Sequence, residues 1–189
     1  NQSEVTESAY NAVAEEIKKI KEQLLEYKLI NEVEIPQYEE TNKNVLLAFI
    51  NSLKDKYSKY DNLIDKIQLF NKLLKSKCFA NKTISFAPQF GFRIISKTGE
   101  VLEESYLSSG EQNEIIMLYH LIFEVNDNSV LLIDEPENSL HVAWQEEFLN
   151  DIKQISTIKN LQVIIATHSI TIVSNGEENA VDLFYLMKQ

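Results

Sequence analysis

The segment Ser129–His141, SVLLIDEPENSLH, constrains this chain more than any other. Ser129–Ile133 has the length and aliphatic content of a buried strand and runs directly into Asp134 and Glu135. A strand ending on adjacent carboxylates can aim one at a divalent cation and the other at a water molecule. Glu137 adds a third acidic group to the same short stretch. Such crowding is costly unless a cation or donors from other segments compensate it. Pro136 fixes the direction in which the chain leaves the strand.

Two further segments flank this one. Upstream, Leu107-Ser108-Ser109-Gly110-Glu111-Gln112 places Glu three residues after Ser, the spacing of a capping box. Gly110 lets a backbone approach a ligand closely, and the helix that starts there offers amides and its positive dipole end to an anion. A simple capped helix would carry the same pattern. Downstream, the apolar run LQVII leads into Ala166-Thr167-His168-Ser169. A neutral imidazole at that strand end can donate to a phosphate or orient a water molecule.

In this order and spacing, the three segments make the chain resemble the second half of an ABC-type ATPase head. The branch is that of RecF, Rad50 and SMC proteins and of the OLD-like and Septu-like bacterial defence ATPases. LSSGEQ resembles the ABC signature, VLLIDE the Walker B strand with its catalytic Glu, ENSLH the D-loop and ATHS the His switch. The likeness covers roughly residues 81–189 and implies an α/β fold, the C-terminal lobe of a P-loop ATPase head. It also implies a role for each motif residue. Asp134 holds Mg²⁺, Glu135 polarises the attacking water, and His168 senses the γ-phosphate. Ser108, Ser109, Gly110 and Glu111 contact ATP held by an opposite subunit, so the expected assembly is a homodimer with ATP sandwiched between heads. Asn138, Ser139 and His141 belong to the D-loop, where His141 either bridges subunits near the phosphate or caps its helix. Ser109 stands where the common pattern has Gly, Glu111 where it has Gln, and Val142 where many relatives have Pro.

None of the four glycines, Gly91, Gly99, Gly110 and Gly176, belongs to a G-x-x-x-x-G-K-[ST] phosphate loop. The chain opens at Asn1 without Met. The Walker A segment and Q-loop are therefore expected in preceding sequence of the same protein, as the N-terminal half of the head. The resemblance favours an ATPase serving DNA metabolism or antiviral defence, with a DNA or nuclease effector left open. A nucleotide-gated clamp with little hydrolysis and a transporter cassette are the alternatives. Retention of both Asp134 and Glu135 speaks against the clamp, and the long helical region before the signature speaks against the cassette.

At 189 residues and 44% hydrophobic content the chain can fill a core and carry an appendage. A formal charge of −11 argues against a broad nucleic-acid footprint on this piece. Cys78 is the only cysteine, which excludes an internal disulfide and a thiolate metal cluster and reads as a buried structural thiol. His120 reads as a residue that packs or caps locally. No run approaches 18 apolar residues, and the expectation is a cytoplasmic protein without membrane contact.

Residues 1–80 read as a helical arm or lobe, and residues 81–189 as the ATPase lobe. Tyr10, Val13, Ile17, Ile20, Leu24 and Tyr27 recur at alternating spacings of 3 and 4, a helical seam. A second seam runs through Val45, Phe49, Tyr60, Leu63, Ile67, Phe70 and Leu74, extended less regularly by Leu53 and Tyr57. The charged segment Asn31–Lys43, with Pro36, separates them. A helical hairpin and a compact lobe both satisfy these seams. Beyond Asn81 the period changes: Thr83–Ala87, Phe90–Ser96 and Glu100–Glu104 read as short strands, with a turn at Lys97-Thr98-Gly99. VLLI and LQVIIA should then lie as adjacent or near-adjacent parallel strands, with a last apolar segment at Val181–Met187.

Overall fold

The structure, a computed structural model, describes residues 6–77, 82–87, 89 and 91–183. It divides into two compact units, Asn1–Ile67 with Lys82–Val101 and Gln68–Asn81 with Leu102–Gln189.

In the first unit, helix α1 (Glu7–Glu26) begins where the Thr6 hydroxyl accepts the Ala9 amide at 3.3 Å. Its seam appears where the spacing predicts it: Tyr10, Ile17 and Leu24 are buried, with Val13 and Ile20 packed beside them. Helix α2 (Lys43–Tyr57) supplies Ile50, Leu53 and Tyr57 to the same core, and helix α3 (Asp61–Ser76) supplies Ile64. The second seam is corrected at its start. Val45 is 71% and Phe49 40% exposed, while Leu46 and Leu47 border the core. Apolar residues on α2 cover two neighbouring faces, and packing against α1 selects the face of Ile50, Leu53 and Tyr57. The intervening segment is less polar in effect than its charges suggest. Leu29, Ile30, Val33, Ile35 and Tyr38 pack on the core, and the Tyr10 hydroxyl donates to the Pro36 carbonyl at 2.8 Å.

Strands β1 (Lys82–Ala87) and β2 (Gly91–Ser96) pair antiparallel, and β3 (Val101–Leu102) completes a sheet of order β1-β2-β3. Gly99 makes the last turn at φ +88°, a conformation that costs glycine little. The third strand is shorter than expected because Glu104–Tyr106 closes into a 3₁₀ turn. Phe90 and Cys78 lie outside the described residues.

The second unit contains α4 (Ser109–Tyr119), β4 (Val130–Asp134), α5 (Val142–Lys159), β5 (Gln162–Ala166) and α6 (Ile170–Ser174). Helix α4 runs into a π-helical turn, His120–Glu124, where the His120 ring meets Glu124. Buried Lys159 fastens that turn by donating to the Ile122 carbonyl at 2.7 Å, with Asp127 3.3 Å away. Ile115 and Leu118 of α4 and Phe148, Ile152 and Ile155 of α5 are buried, and Trp144 is half-buried. β4 and β5 are adjacent and parallel, with α5 as their crossover; Leu132 stands opposite Ile164 and Asp134 opposite Ala166.

These strands are not buried on both faces as their composition implies. Val130 is 58%, Leu132 71% and Ile164 62% exposed, because nothing among the described residues lies over that face. Val181 and Leu183 are also exposed, and residues 184–187 of the last apolar segment lie outside the described residues. Among the described residues no helix is long and apolar enough to cross a membrane.

The core assignment in α1 and α2 has a direct check. Ile17→Ala should cost about 2–5 kcal/mol of stability, and Val45→Ala under about 0.5 kcal/mol, in urea unfolding of the full-length protein. Similar losses in both variants would show that Val45 shares the core.

Candidate functional site

The parallel register brings the ends of β4 and β5 to the same edge of the second unit. The Glu135 amide donates to the Ala166 carbonyl at 2.8 Å, one residue past the last strand pair. The carboxylates that follow β4 therefore emerge beside the Thr167-His168-Ser169 turn that follows β5. Sequence spacing suggests this meeting, and the strand pairing produces it.

Glu135 occupies the left-handed region, φ 46° and ψ 55°. A non-glycine residue there is uncommon and strained, and such strain clusters at functional sites. Its carboxylate is gripped on one side, where the Asn138 side-chain amide donates to Oε2 at 2.7 Å. On the other side Nε2 of His168 stands 3.7 Å from Oε1. The His168 side chain is 90% exposed, so its imidazole is available to a ligand beyond the turn. Asp134 is exposed at the last position of β4.

Glu137, a candidate only for its charge in the sequence, is the connector of the site. Its Oε2 accepts the Thr167 hydroxyl at 2.7 Å, and its Oε1 accepts the His168 amide at 2.6 Å. These are the donors from another segment that a crowded carboxylate requires. Burial acts to raise the Glu137 carboxyl. Its own amide, the Thr167 hydroxyl and the amides of His168 and Ser169 outweigh that effect and hold it below the ordinary carboxylate range. Ser169 extends the connection: its hydroxyl donates to Gln145 Oε1 at 2.6 Å and accepts the Ile172 amide at 3.3 Å as the cap of α6. Gln145 carries no motif that sequence reasoning would single out, and only the fold brings it to Ser169.

The Ser108 turn forms the capping box that its spacing predicts. Ser108 Oγ accepts the Glu111 amide at 3.2 Å, and Glu111 Oε2 accepts the Ser108 amide at 2.8 Å and the Ser108 hydroxyl at 3.1 Å. Ser109 and Gly110 are the first helical residues, both presenting amides without an intrahelical acceptor. A methyl group built on Gly110 would sit 3.5 Å from Trp144 of α5, an ordinary contact. His141 caps α5: its Nδ1 accepts the Ala143 amide at 3.3 Å, which requires the tautomer protonated on Nε2. The His141 ring is exposed, so the cap leaves the second nitrogen outward. Pro136–Ser139 is a 3₁₀ turn in which Asn138 faces Glu135, and the Ser139 side chain lies outside the described residues.

The carboxylate turn and the His168 turn thus form one hydrogen-bonded cluster, whereas the Ser108 turn closes on its own capping box, with Gly110 close to the Trp144 ring of α5. Among the described residues no group of three or more ligating side chains could hold a metal ion. Mg²⁺ needs none when nucleotide oxygens and water complete its shell, and the exposed carboxylate of Asp134 has the chemistry for that mode.

Removing the Glu137 connector should free the His168 turn. Glu137→Ala leaves the Thr167 hydroxyl and the His168 amide without an acceptor, at about 1–3 kcal/mol for the local structure, so amide exchange at residues 167–169 should quicken by roughly fivefold to a hundredfold. The same support should weaken in acid. The folded pKa lies below the ordinary 4.5, so the contribution is complete above that value and is lost as pH falls through the depressed one. Unchanged exchange in E137A would remove Glu137 from this role.

The sequence profile of a family described as AAA ATPase domain matches residues 1–173. Among curated proteins the chain is similar to the oligopeptide transport ATP-binding protein OppD of Mycoplasma genitalium, at 22% identity over 139 residues. That alignment covers 74% of this chain and 34% of OppD, so the chain spans about a third of the length of the curated relative it matches. The capped α4 helix, the carboxylate turn and the His168 turn all fall within the matched profile, and the chain belongs to the AAA ATPase domain family.

Proposed function

We propose that the chain is the C-terminal part of an ATP-hydrolysing head of ABC type that dimerises around ATP and Mg²⁺. The process it serves is DNA metabolism and repair or bacterial antiviral defence, as the RecF, Rad50 and SMC-like motif set implies. One observation carries the catalytic reading: a strained Glu135 is held at one carboxylate oxygen by Asn138 and faced at the other by His168.

In this reading water attacks the γ-phosphorus in line, the bond to the bridging oxygen breaks, and ADP and phosphate leave. Glu135 takes the proton of the attacking water. Asn138 prevents the carboxylate from rotating away, and His168 Nε2 contributes a second group to the water or the γ-phosphate. Asp134 would hold Mg²⁺, which would supply positive charge to offset that of the phosphate oxygens. Glu137 holds the His168 turn at the height of Glu135 without touching the nucleotide.

The amides of Ser109 and Gly110 and the Ser108 hydroxyl would meet the γ-phosphate bound by the opposite head. The phosphate loop would come from the N-terminal half of the head in the same protein. That half would also cover Val130, Leu132 and Ile164, an apolar face unsuited to water. A transporter cassette is the second reading, favoured by the likeness to an oligopeptide transport ATP-binding protein. The helical first unit before the signature and the sequence ENSLH favour the first.

In the full-length protein, Glu135→Gln should retain ATP binding and trap an ATP-dependent dimer in sedimentation, while turnover falls about 100-fold or more. Turnover near wild type would reject Glu135 as the base. Ser108→Arg should abolish ATP-dependent dimerisation while ATP binding to the single head survives. Mixing S108R with E135Q should restore association, because the second protomer still offers an intact signature. Dimerisation of S108R alone at wild-type affinity would reject the trans signature.

A further inference from the structure

Lys77 follows the last residue of α3 and is 3% exposed. Its ammonium lies 2.5 Å from Asp151 Oδ2, 3.4 Å from Glu147 Oε2 and 3.8 Å from Glu114 Oε1. Glu114 is 1% and Asp151 4% exposed, whereas the Glu147 side chain is about half exposed. All four residues belong to the second unit. Burying an ammonium with two carboxylates is a poor way to gain stability, since apolar side chains of the same size often do as well. What such a group provides is geometry, because one cation held by carboxylates from two elements fixes those elements together.

The two elements are the ones that begin at the site. Glu114 lies on α4, whose N-cap is Ser108, and Glu147 and Asp151 lie on α5, whose N-cap is His141. We propose that Lys77 is a positioning residue for ATP hydrolysis: by binding Glu114 and Asp151 it holds the Ser108 turn and the His141 turn in one fixed relation. This rests on the reading of Ser108 as the signature presented to a partner's nucleotide. Gly110 also lies close to the Trp144 ring, so α4 and α5 approach each other near their N-terminal ends.

The cluster also has a built-in signal. Glu114 Oε2 is buried and has no hydrogen-bond partner, so the carboxylate is incompletely compensated. Burial, opposed by Lys77 and assisted by Asp151 and Glu147, pushes the Glu114 carboxyl up to about 7. The charged groups facing it are Lys77 at the end of α3 and Asp151 and Glu147 on α5; Lys72 of α3 acts on Asp151. A raised folded pKa means that protonated Glu114 favours the packed state. That contribution is complete in acid and is lost as pH rises through about 7.

The test uses the full-length protein and two readouts. Without nucleotide, Lys77→Met should quicken amide exchange in 109–119 and 142–159 together, by tenfold or more. With ATP it should lower kcat at least tenfold and weaken dimerisation, while the KM for ATP stays within about twofold. Unchanged exchange in K77M, or loosened helices with wild-type kcat and dimerisation, would overturn the positioning role. Glu114→Gln keeps the shape and removes the titration, so it remains informative where K77M fails to fold. In the wild type, exchange corrected for its intrinsic pH dependence should quicken from pH 6 to 8. In E114Q it should stay flat and be slower than wild type at pH 8. A wild-type pH response in E114Q would overturn the proposal. The exchange measurements need no nucleotide, so their result is separable from a failure of the trans-signature reading, which S108R reports.

Discussion

The site depends on the parallel pairing of β4 and β5. With Asp134 opposite Ala166, both strands must end at one edge, and whatever follows them must share the space there. Five residue pairs between the two strands fix that edge, but two loops leaving it could still diverge. The Glu137 carboxylate prevents divergence by accepting from Thr167 and His168 across a separation of about thirty residues in the chain. The same carboxylate explains how three acidic groups tolerate each other. Glu137 faces donors, Glu135 faces Asn138 and His168, and Asp134 faces outward.

The exposed face of that sheet follows from the same pairing. Alternation along β4 places Val130 and Leu132 on one side, and the register sets Ile164 directly beside Leu132. Neither strand can hide these residues by twisting, because its other face already points toward the interior of the unit. Such a face is stable in a finished head only when another layer lies over it. The layer proposed here is the one bearing the phosphate loop, which would bring that loop to the strand ends where Asp134 and Glu135 emerge.

Much of this was legible in the sequence because the decisive patterns are local. The α1 seam, the capping box at Ser108, the paired strands and the turn at Gly99 each follow from short-range rules. Two kinds of feature were not legible. The α2 seam was set through Val45 and Phe49 because their spacing is helical, but adjacent faces of a helix share that property and only packing against α1 chooses between them. The strands were read as buried because aliphatic composition reports suitability for burial, not the presence of a cover. Gln145 and Lys77 escaped notice for a third reason. A glutamine and a lysine in polar stretches carry no periodic signal, and their partners lie about 25 and 40–75 residues away, beyond the reach of any local rule.

The left-handed backbone of Glu135 connects these observations. In the extended conformation of the strand, its side chain would continue the alternation of β4 and project from the opposite face to Asp134. A single φ of 46° breaks the alternation and turns the chain into the 3₁₀ segment Pro136–Ser139. Pro136 then holds φ in the range that a 3₁₀ start requires. Asn138 closes back on Glu135 at 2.7 Å, and Glu137 is directed across to the His168 amide. In that conformation two carboxylate bonds form that offset the strain, Asn138 to Glu135 and His168 to Glu137. Relaxing Glu135 toward extended geometry would disturb the Asn138 grip and the Glu137 link together, so Glu135, the Asn138 amide and the His168 turn are coupled through one backbone conformation.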